Sequence, residues 1–382
     1  MGIIKRIINK LFCVLPLRNI VLLESIPVFS DNTKYVYQEM VRREEFKNYK
    51  FIWIVGKGDN IDFSQFTVTN NTSFLKYSDD IISFVKKKYI LSVAKILICS
   101  NAFLPKSRKK QYCIYLAHGT ALKNCSGKYN VPPYVDDITC ISSNLKKYDA
   151  INDKCDESKL IPLGFARNDL LFGDRIDLKH IFNSNENTKY IYWMPTFRQN
   201  RNSGNSYSSI SFPIIYSIKD AEIINEYAKQ NNVMIIVKPH PSQDLSLIKA
   251  IKYDNLMFID NLFLCDNCID NYELLRSVDA MITDYSSVYY DYLLCNKPIG
   301  LTFDDFEEYN EKEGFTVDPN FIFSAGEKMY NVDDLCAFIK RIADGKDILK
   351  EERTRIIDYC HDYKDGKSTK RIVDYIIKNV VD

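Results

Sequence analysis

Short runs of β-branched and aromatic residues alternate with longer polar stretches along most of this 382-residue chain. Two of the runs, Ile20–Leu23 and Phe51–Val55, are apolar at every position, as are strands covered on both faces of a parallel sheet. The predicted strands are Asn19–Glu24, Lys50–Val55, Lys95–Ser100, Cys113–Ala117, Asp137–Ser142, Tyr190–Met194, Met234–Val237, Leu256–Ile259 and Ala280–Thr283. Strands separated by helical stretches form βαβ units, so the sequence predicts an α/β fold with doubly wound parallel sheets.

A charged, Asn-rich stretch from Gly173 to Lys189 separates these strands into two series. A chain of this length has enough material for two hydrophobic cores. We therefore expect an N-terminal Rossmann-like domain over residues 19–180 and a C-terminal one over residues 181–382, with helices at Asn331–Ala343 and Thr369–Val380. Open α/β sheets bind ligands at the carboxyl ends of their strands. Two such domains facing each other predict a central cleft where the reactive residues gather.

The charge and the cysteine content argue against several classes of protein. The 51 Lys+Arg residues balance 50 Asp+Glu residues, so the chain has no overall field that would gather nucleic acid. Eleven scattered cysteines, an odd number, favour reduced thiols in a cytosolic protein over a disulfide framework. Cys265 and Cys268 have C-x-x-C spacing, but no second pair and no nearby histidine completes a zinc set. We predict neither a metal nor a cofactor.

Residues 1–18 have the pattern of a basic amphipathic helix. Apolar residues recur at helical spacing, and basic residues fall on the other faces. The apolar positions are Ile3, Ile4, Ile7, Ile8, Leu11 and Phe12, and the basic positions are Lys5, Arg6 and Lys10. Such a helix lies either on an anionic membrane surface or on the protein's own body. No uncharged apolar run reaches the roughly 18 residues that a membrane-spanning helix needs.

The first candidate site follows the predicted strand Cys113–Ala117. His118 comes directly after this strand and is followed by Gly119 and Thr120. A histidine that titrates near neutral pH can take a proton from an attacking alcohol. Gly119 lets backbone N–H groups approach an anion, and Thr120 adds a hydroxyl donor. The alternative is a histidine that only caps the junction between strand and loop.

A second histidine stands in a similar position. His240 follows the predicted strand Met234–Val237 and lies between two prolines, of which Pro239 is the first. The prolines restrict the backbone on both sides of the imidazole. Lys238 supplies a cation beside it, so this pair of side chains fits a phosphate or diphosphate group.

The predicted strand Ala280–Thr283 leads into a helix that begins near Ser286 and Ser287. Free N–H groups, the helix dipole and serine hydroxyls at such a start bind anions. Asp291 follows in the first turns of the helix, where it is placed to orient a ligand hydroxyl or to cap a neighbour. The alternative for the whole motif is an ordinary helix cap by Asp284 or Ser286, which needs no ligand.

Two arginines follow other strand ends. The first is Arg167, and the second is Arg198 in the run that begins at Thr196. Each offers a bidentate cation or a hydrogen-bond donor to phosphate, and the alternative is that each arginine lies on the surface without a ligand. The remaining histidines, His180 and His361, lack a comparable setting, and we interpret both as surface residues.

These candidates belong to a set of motifs that follow one another along the chain. The motifs are His118-Gly119-Thr120, Gly164 to Asp169, Pro195-Thr196-Phe197-Arg198, His240-Pro241, Asp284-Tyr285-Ser286-Ser287 with Asp291, and Lys297-Pro298-Ile299 followed by Gly314-Phe315. In order and rough spacing, over approximately residues 20 to 360, the chain resembles the CDP-glycerol glycerophosphotransferase family of bacterial wall teichoic acid and capsule enzymes. The resemblance implies a GT-B-like pair of Rossmann-type domains.

The resemblance also implies a reaction and a location. Glycerol phosphate would pass from CDP-glycerol to a hydroxyl of a lipid-linked glycan or polymer, with release of CMP, at the cytoplasmic face of the cell membrane. By motif, His118 matches the candidate general base and His240 the group that stabilises the diphosphate. The positions that match donor contacts are Gly119, Thr120, Ala121, Leu122, Arg167, Thr196, Phe197, Lys238, Pro239, Ser286, Ser287 and Asp291. Residues 1–18 would then contact the membrane surface.

Two positions depart from the family pattern. Ala121 stands where the family commonly has proline, and Lys238 stands where an arginine is common. Both leave CDP-ribitol open as the donor. A GT-B glycosyltransferase that uses a nucleotide sugar, and a non-catalytic nucleotide-binding subunit of a wall or capsule assembly complex, also stay open. The chain length favours a single-addition or capsule-unit transferase, while the acceptor and the oligomeric state are not predicted.

Overall fold

The computed structural model describes residues 12–56, 68–77, 80–125, 130–198, 212–240, 243 and 252–381. The chain divides into two compact units. Unit 1 consists of Met1–Thr120, Ser126–Asp169 and Asp365–Asp382, and unit 2 consists of Ala121–Cys125 and Leu170–Lys364. These limits differ from the expected domains 19–180 and 181–382, because the chain returns to unit 1 at its end and contributes a short segment to unit 2 directly after Thr120.

Unit 1 is built around a parallel sheet. Its described strands are β1 (Arg18–Glu24), β2 (Lys50–Val55), β3 (Thr72–Lys76), β4 (Ala94–Cys99), β5 (Tyr112–Tyr115), β6 (Asp137–Cys140) and β7 (Leu160–Pro162), in the spatial order β3-β2-β1-β4-β5-β6-β7. The central strands β1, β2 and β4 are buried over most of their length, as their apolar runs predict. The sequence pattern misses β3 and β7, because these edge strands are short and only partly buried.

Three described helices follow strands of this sheet. They are α1 (Asp31–Met40), α2 (Ile81–Val93) and α3 (Lys146–Asp153). The N-terminus of α2 is capped by Asp80, whose carboxylate accepts a hydrogen bond from the Ser83 N–H at 2.8 Å. The α1 side chains Val36, Tyr37 and Met40 join the core that covers one face of the sheet.

Unit 2 contains a second parallel sheet. Its described strands are β8 (Lys189–Trp193), β9 (Val233–Val237), β10 (Leu256–Phe258), β11 (Ala280–Thr283), β12 (Ile299–Thr302) and β13 (Glu327–Met329), in the spatial order β10-β9-β8-β11-β12-β13. The sequence pattern misses β12 and β13. Gly300 interrupts the apolar run of β12, and a Cβ atom there would lie 2.8 Å from Met329 Cε, so the end of that side chain would have to shift. β13 is a short strand at the edge of the sheet.

The helices of unit 2 pack around this sheet. In chain order they are α4 (Leu178–Phe182), α5 (Ile218–Gln230), α6 (Asn261–Asp266), α7 (Asn271–Ser277), α8 (Val288–Leu293), α9 (Phe306–Lys312), α10 (Pro319–Ile322), α11 (Val332–Ala343) and α12 (Lys350–Cys360). A capping box starts α5, in which Ser217 and Asp220 bond each other's backbone N–H groups. The apolar faces of α5 and α11 pack with β8, β9 and β11 in one core.

The chain ends in unit 1 with α13 (Ser368–Ile376), which continues into a π-helical turn at Ile377–Val381. The Asp169 carboxylate accepts the N–H groups of Ser368 and Thr369, each at 2.8 Å, and so caps the helix. The α13 side chains Ile372, Val373 and Ile376 lie in the same core as α1. This packing explains why the last residues belong to unit 1.

All nine predicted strands are present, with ends shifted by at most two residues. The predicted helix Asn331–Ala343 corresponds to α11, and Thr369–Val380 corresponds to α13 with its terminal turn. Of the expected amphipathic helix 1–18, residues 1–11 lie outside the described residues. Phe12 packs edge-on against Tyr89 at 5.4 Å between ring centroids. In the part of the chain that the structure describes, no helix has the length and hydropathy to cross a membrane.

The prediction that His361 lies at the surface is wrong, whereas His180 is exposed as predicted. His361 is buried in unit 2, and its Nε2 lies 2.8 Å from the carbonyl oxygen of Tyr290. Because a carbonyl oxygen only accepts hydrogen bonds, Nε2 carries the proton of a neutral imidazole. Burial lowers the pKa of His361 to about 4.

This buried histidine should make the stability of unit 2 depend on pH. The folded pKa of His361 is about 4, whereas an unfolded histidine has a pKa near 6.5. Between these values the unfolded state binds more protons, so stability is fully present above about pH 6.5 and is lost as the pH falls toward 4. The shift corresponds to about 3 kcal/mol. The variant His361→Gln keeps a donor for the Tyr290 carbonyl but does not titrate. We expect its free energy of unfolding to fall much less over this pH range.

The measurement is urea unfolding at a series of pH values, in a Trp53→Phe background so that Trp193 of unit 2 gives the fluorescence signal. His180→Gln serves as the control, because that histidine is exposed in the same unit. An identical decrease in the free energy of unfolding for His361→Gln and the unsubstituted background would contradict this account.

Candidate active site

Each sheet has one point at which its strand order reverses. In unit 1 the reversal lies between β1 and β4, and in unit 2 it lies between β8 and β11. Loops on the two sides of such a reversal leave in opposite directions, which opens a crevice at the carboxyl ends of the strands. His118 follows β5, the neighbour of β4, while Thr196 and Ser286 follow β8 and β11 themselves. The sequence-predicted residues therefore lie at or beside the ligand-binding edge of each sheet.

In unit 1, His118 is held by a carboxylate that the sequence analysis did not identify. The His118 Nδ1 atom lies 2.6 Å from Asp31 Oδ2, while the side chain of His118 stays 66% exposed. Arg167 Nη1 donates to Asp31 Oδ1 at 2.7 Å and to the carbonyl oxygen of His118 at 2.7 Å. Arg167 is itself buried, so the alternative of a surface arginine is wrong. The three residues form one connected group with only the imidazole facing outward.

The Asp31 carboxylate determines which imidazole nitrogen is free. Burial would raise the pKa of Asp31, but the Arg167 charge and the hydrogen bonds from His118 and Arg167 outweigh it and hold this pKa well below its usual value. Asp31 is therefore ionised and accepts the Nδ1–H of His118. In the neutral imidazole, Nε2 then carries the lone pair, which is the arrangement a general base needs.

Other polar contacts fix the loops around this group. Asn32 is fully buried, donates from Nδ2 to the carbonyl oxygens of Leu116 and Ala117, and accepts the Arg167 N–H at Oδ1. Asn101 Nδ2 lies 3.1 Å from the same Nδ1 of His118, and its Oδ1 accepts the N–H of Ile26.

The backbone beside His118 is strained. Asp31 has φ 54° and Ala117 has φ 51°, both in the left-handed region. Residues other than glycine keep such values only where the surrounding structure enforces them. The loops after β1 and β5 are therefore held in place by the hydrogen bonds of Asn32 and Arg167.

The next two residues of the first motif differ in exposure. Gly119 is half-buried, whereas Thr120 is buried and its hydroxyl has no hydrogen-bond partner among the residues that the structure describes. A buried hydroxyl without a partner is costly. Thr120 therefore remains a candidate donor to a bound group.

In unit 2, three cationic or titratable side chains lie close together. His240 is near Lys123 and Lys238, and its ring lies 5.5 Å from the ring of Phe197 between centroids. Partial burial, followed by the charges of Lys123 and Lys238, lowers the pKa of His240. Burial also lowers the pKa of Lys238, against the opposing effect of Asp260. A cluster of one histidine and two lysines offers N–H donors to an anion such as a diphosphate.

Ser286 and Ser287 lie between β11 and α8, as predicted. Both are half-buried, and neither hydroxyl has a hydrogen-bond partner among the described residues. The N-cap position of α8 is Ser287, whose side chain makes no capping hydrogen bond. The alternative of a cap by Asp284 is excluded because the Asp284 carboxylate bonds Thr196 and Arg198 instead. Both serine hydroxyls are available to a ligand.

Arg198 does not reach a ligand, which corrects the hypothesis that it holds phosphate. Its side chain is fully buried, with Nη1 2.7 Å from Asp284 and Nε 2.7 Å from Asp305. Burial would lower the pKa of Arg198, but these two carboxylates outweigh it and raise the pKa. Thr196 donates both its N–H and its hydroxyl, the latter at 2.5 Å, to Asp284. These donors hold the loop that carries Phe197 and are not free for phosphate.

The structure buries several other residues that the resemblance assigned to donor binding. Asp291 points into unit 2, where its carboxylate accepts the hydroxyl of Tyr272 at 2.6 Å. Ala121 and Leu122 are buried, and their carbonyl oxygens accept hydrogen bonds from Tyr290 and Thr316. Pro239 is buried too. Because all four side chains are buried, a ligand does not reach them in this conformation.

Three residues near the two histidines were missed by sequence reasoning. They are Asp31, Asn101 and Lys123. Asp31 and Asn101 follow β1 and β4, the strands at the reversal point, which is the signal that could have identified them. Lys123 does not directly follow a strand, so the sequence gives no comparable signal for it. It belongs to the segment Ala121–Cys125 of unit 2, where it forms a β-bridge with Phe315. Within the described ranges, no group of three or more His, Cys, Asp or Glu side chains is arranged to hold a metal ion.

Comparison with known proteins gives a family match over nearly the whole chain. The sequence model of the family described as CDP-glycerol:poly(glycerophosphate) glycerophosphotransferase matches residues 7–378. A teichoic acid poly(ribitol-phosphate) polymerase of Bacillus spizizenii is 25% identical over 371 residues, which cover 91% of this chain and 54% of the relative. A teichoic acid glycerol-phosphate transferase of Staphylococcus aureus is 24% identical over 409 residues, which cover 97% and 95%. The chain thus spans about half the length of the first relative.

A solved structure has the same fold. The wall teichoic acid polymerase TagF superimposes with a TM-score of 0.71 at 21% identity, covering 98% of this chain and 93% of that one. Together with the two parallel sheets, this likeness confirms the predicted α/β, GT-B-like fold.

Removing the buried arginine should destabilise unit 2. We expect Arg198→Met to lower the free energy of unfolding by about 3–5 kcal/mol, because it leaves the Asp284 and Asp305 carboxylates buried without their cation. Urea unfolding in the Trp53→Phe background, followed by Trp193 fluorescence, measures the change. Arg355→Met, at an exposed arginine of the same unit, should stay close to the wild type. A variant Arg198→Met that is as stable as wild type and only binds its donor more weakly would restore the phosphate hypothesis.

Proposed function

Because this chain belongs to the CDP-glycerol:poly(glycerophosphate) glycerophosphotransferase family, we propose that it transfers glycerol phosphate from CDP-glycerol to a hydroxyl group of a lipid-linked glycan or polymer and releases CMP. The observation that carries the proposal is the His118 imidazole, which faces outward with Nδ1 bonded to the buried, ionised Asp31. This arrangement serves a reaction that removes a proton from an alcohol.

The first part of the mechanism is deprotonation of the acceptor. The acceptor oxygen attacks the phosphorus that carries glycerol, while its proton passes to Nε2 of His118. The imidazolium that forms is stabilised by Asp31, which stays ionised because Arg167 lies 2.7 Å away. The bond between this phosphorus and the oxygen of the CMP phosphate breaks, and CMP leaves with that bond's electron pair. The proton on His118 then returns to solvent.

The second part is the binding of the donor diphosphate. Phosphoryl transfer depends mainly on positioning and on stabilisation of negative charge. In unit 2, Lys123, Lys238 and His240 supply positive charge or N–H donors, and Ser286 and Ser287 supply hydroxyl donors. These groups would stabilise the charge that develops on the departing CMP.

A lipid-linked acceptor implies where the enzyme works. We propose a peripheral protein at the cytoplasmic face of the cell membrane. The basic and apolar pattern of residues 1–18 supports this location.

A ribitol donor is the second candidate. The Bacillus spizizenii relative is named a poly(ribitol-phosphate) polymerase, and Lys238 is a point cation where the family pattern commonly has an arginine fork. The reaction and the roles of the residues above are the same for either donor.

Donor choice can be measured as nucleotide release. Purified protein is incubated with CDP-glycerol, CDP-ribitol or a panel of nucleotide sugars, with membranes or a lipid-linked disaccharide as acceptor. We expect CMP from CDP-glycerol. Release of CMP from CDP-ribitol alone would change the group transferred, and release of UDP or GDP from a nucleotide sugar would contradict the proposal. Binding of CDP-glycerol without turnover, with each of the acceptors, would instead identify the protein as a non-catalytic nucleotide-binding subunit.

The base and its carboxylate can be tested by substitution. We expect His118→Gln and Asp31→Asn each to lower kcat by about 10²–10⁴-fold. In Asp31→Asn the side-chain amide can donate a hydrogen bond to Nδ1, which stabilises the tautomer that carries its proton on Nε2. In that tautomer Nε2 cannot accept the proton of the acceptor hydroxyl. The KM for CDP-glycerol should change little, because the proposed diphosphate contacts lie in unit 2. Steady-state kinetics of CMP release measures both constants.

Asp156→Asn is the matched control, since Asp156 is an exposed carboxylate of unit 1 that only caps a 3₁₀ turn. Wild-type kcat in His118→Gln would remove this histidine from the mechanism. Wild-type kcat in Asp31→Asn, with His118→Gln inactive, would show that the carboxylate has no part in it.

A further inference from the structure

Unit 2 contains a cavity of about 810 Å³ that the proposed reaction does not use. It lies beside the edge strand β10, and the segments before β8, β9 and β10 contribute Thr188, Asn232 and Asn255 to its wall. We call it the β10 cavity. Its described lining residues include none of the candidate active site. Its volume lies within the range of small-molecule sites, so the cavity is a second place in unit 2 that can hold a ligand.

The wall of the β10 cavity carries almost no net charge. Its charged side chains, among the residues that the structure describes, are Lys252 and Asp254. Asp254 Oδ2 already lies 3.2 Å from Lys229 Nζ. A phosphate ligand needs a group of cations, and a metal ion needs a group of carboxylates or other ligating side chains. The cavity offers neither, so it suits an uncharged ligand.

Several hydrogen-bonding groups in this wall are unused by the protein. The side-chain amides of Asn183 and Asn185 are exposed and bond none of the described residues. Asn232 accepts the Thr188 hydroxyl at Oδ1, at 3.1 Å, while its Nδ2 group makes no such bond. The buried hydroxyl of Tyr253 also lacks a partner in the described part of the chain. Because an amide both donates and accepts hydrogen bonds, as a sugar hydroxyl does, these groups match a ligand rich in hydroxyls.

Apolar side chains complete the wall of the β10 cavity. Met234 of β9 and Met257 of β10 come from neighbouring strands, and Phe182 and Phe258 add aromatic rings. The Phe182 ring is stacked on Phe263, with 5.7 Å between centroids and 15° between ring planes, which fixes its orientation. A sugar ring carries hydroxyls at its edge and C–H groups on its faces. It therefore matches both the amides and the apolar side chains of this wall.

We propose that the β10 cavity binds an uncharged sugar chain. The amides of Asn183, Asn185 and Asn232 bond its hydroxyl groups, and the apolar part of the wall packs against the faces of its rings. A nucleotide or a phosphate polymer would find no cluster of cations among the described lining residues. An entirely apolar ligand would leave the asparagine amides without partners, which costs free energy when they are shielded from water.

This sugar site goes beyond the proposed reaction, because it lies apart from the proposed diphosphate contacts. Asn232 directly precedes β9, and Lys238 directly follows it. The two residues are six positions apart, which at about 3.3 Å per residue is at most about 20 Å. In so far as the proposed function holds, the occupant is an uncharged sugar portion of the acceptor or product. The protein then holds that portion at a second point, away from the donor.

Binding of neutral oligosaccharides to the full chain tests the proposal. The probes are maltotriose, cellotriose and triacetylchitotriose, with trigalacturonate as an anionic counterpart, in isothermal titration calorimetry without donor or lipid. We expect a neutral trisaccharide to bind with a Kd of about 1 mM or below. Trigalacturonate should bind at least about tenfold more weakly, because the wall has no cluster of cations. Excess CDP-glycerol should leave the Kd of the neutral sugar unchanged.

The double variant Asn183→Gly with Asn185→Ala removes two of the free amides. Glycine suits position 183 because its φ is 48°. Loss of these hydrogen bonds should weaken binding about tenfold. Asn187→Ala is the matched control, since Asn187 is an exposed asparagine of the same loop that does not line the cavity. His118→Gln should also bind the sugar as wild type does. Trp193 fluorescence and circular dichroism establish that each variant is folded.

Four outcomes would overturn the proposal. The first is that no neutral trisaccharide binds. The second is wild-type binding by the double variant, which would place the sugar elsewhere. The third is displacement by CDP-glycerol or loss of binding in His118→Gln, which would assign the sugar to the candidate active site. The fourth is tighter binding of trigalacturonate. CMP release from CDP-glycerol is measured separately, so that loss of sugar binding and loss of the proposed reaction are distinguished.

Discussion

A parallel strand that is covered on both faces can carry a polar side chain only where it leaves the sheet, and both units are arranged around that constraint. The strands β1, β2, β8 and β9 are buried along most of their length. Polar groups with a chemical role therefore gather in the loops at the carboxyl ends, and the reversal of strand order leaves room for a ligand there. This is why His118 and His240, far apart in sequence, both lie in loops at the carboxyl ends of strands, His118 after β5 and His240 after β9.

Each unit places a buried arginine at this edge, with different consequences. A buried charge is stable only beside an opposite one. In unit 1, Arg167 neutralises Asp31, whose second oxygen remains to hold the exposed His118. In unit 2, Arg198 is bound on both sides by Asp284 and Asp305 and has no surface left. The first arginine thus supports the carboxylate that holds His118, the proposed proton acceptor. The second supports a loop, and the proposed anion binding falls to the neighbouring lysines.

The sequence by itself determined the fold class and the positions at which chemistry should occur. Runs that are apolar at every residue can be satisfied only by burial on both faces, so the central strands and the residues following them, His118, His240 and Ser286 among them, were predictable. The family match and the likeness to TagF confirm the fold, while the roles of these side chains stay predictions. Edge strands such as β3 and β13 were missed because half-buried strands need few apolar residues.

Only the tertiary structure decided which side chains meet. Asp31 and His118 are 87 positions apart, and no local pattern encodes their contact at 2.6 Å. The same holds for Arg198, which looks like a phosphate ligand in sequence but is enclosed by Asp305, 107 positions away. Asp291 faces inward because the packing of α8 sets its direction. Periodicity and propensity act over a few residues, whereas contacts, burial and the pairing of charges depend on elements that only the folded chain brings together.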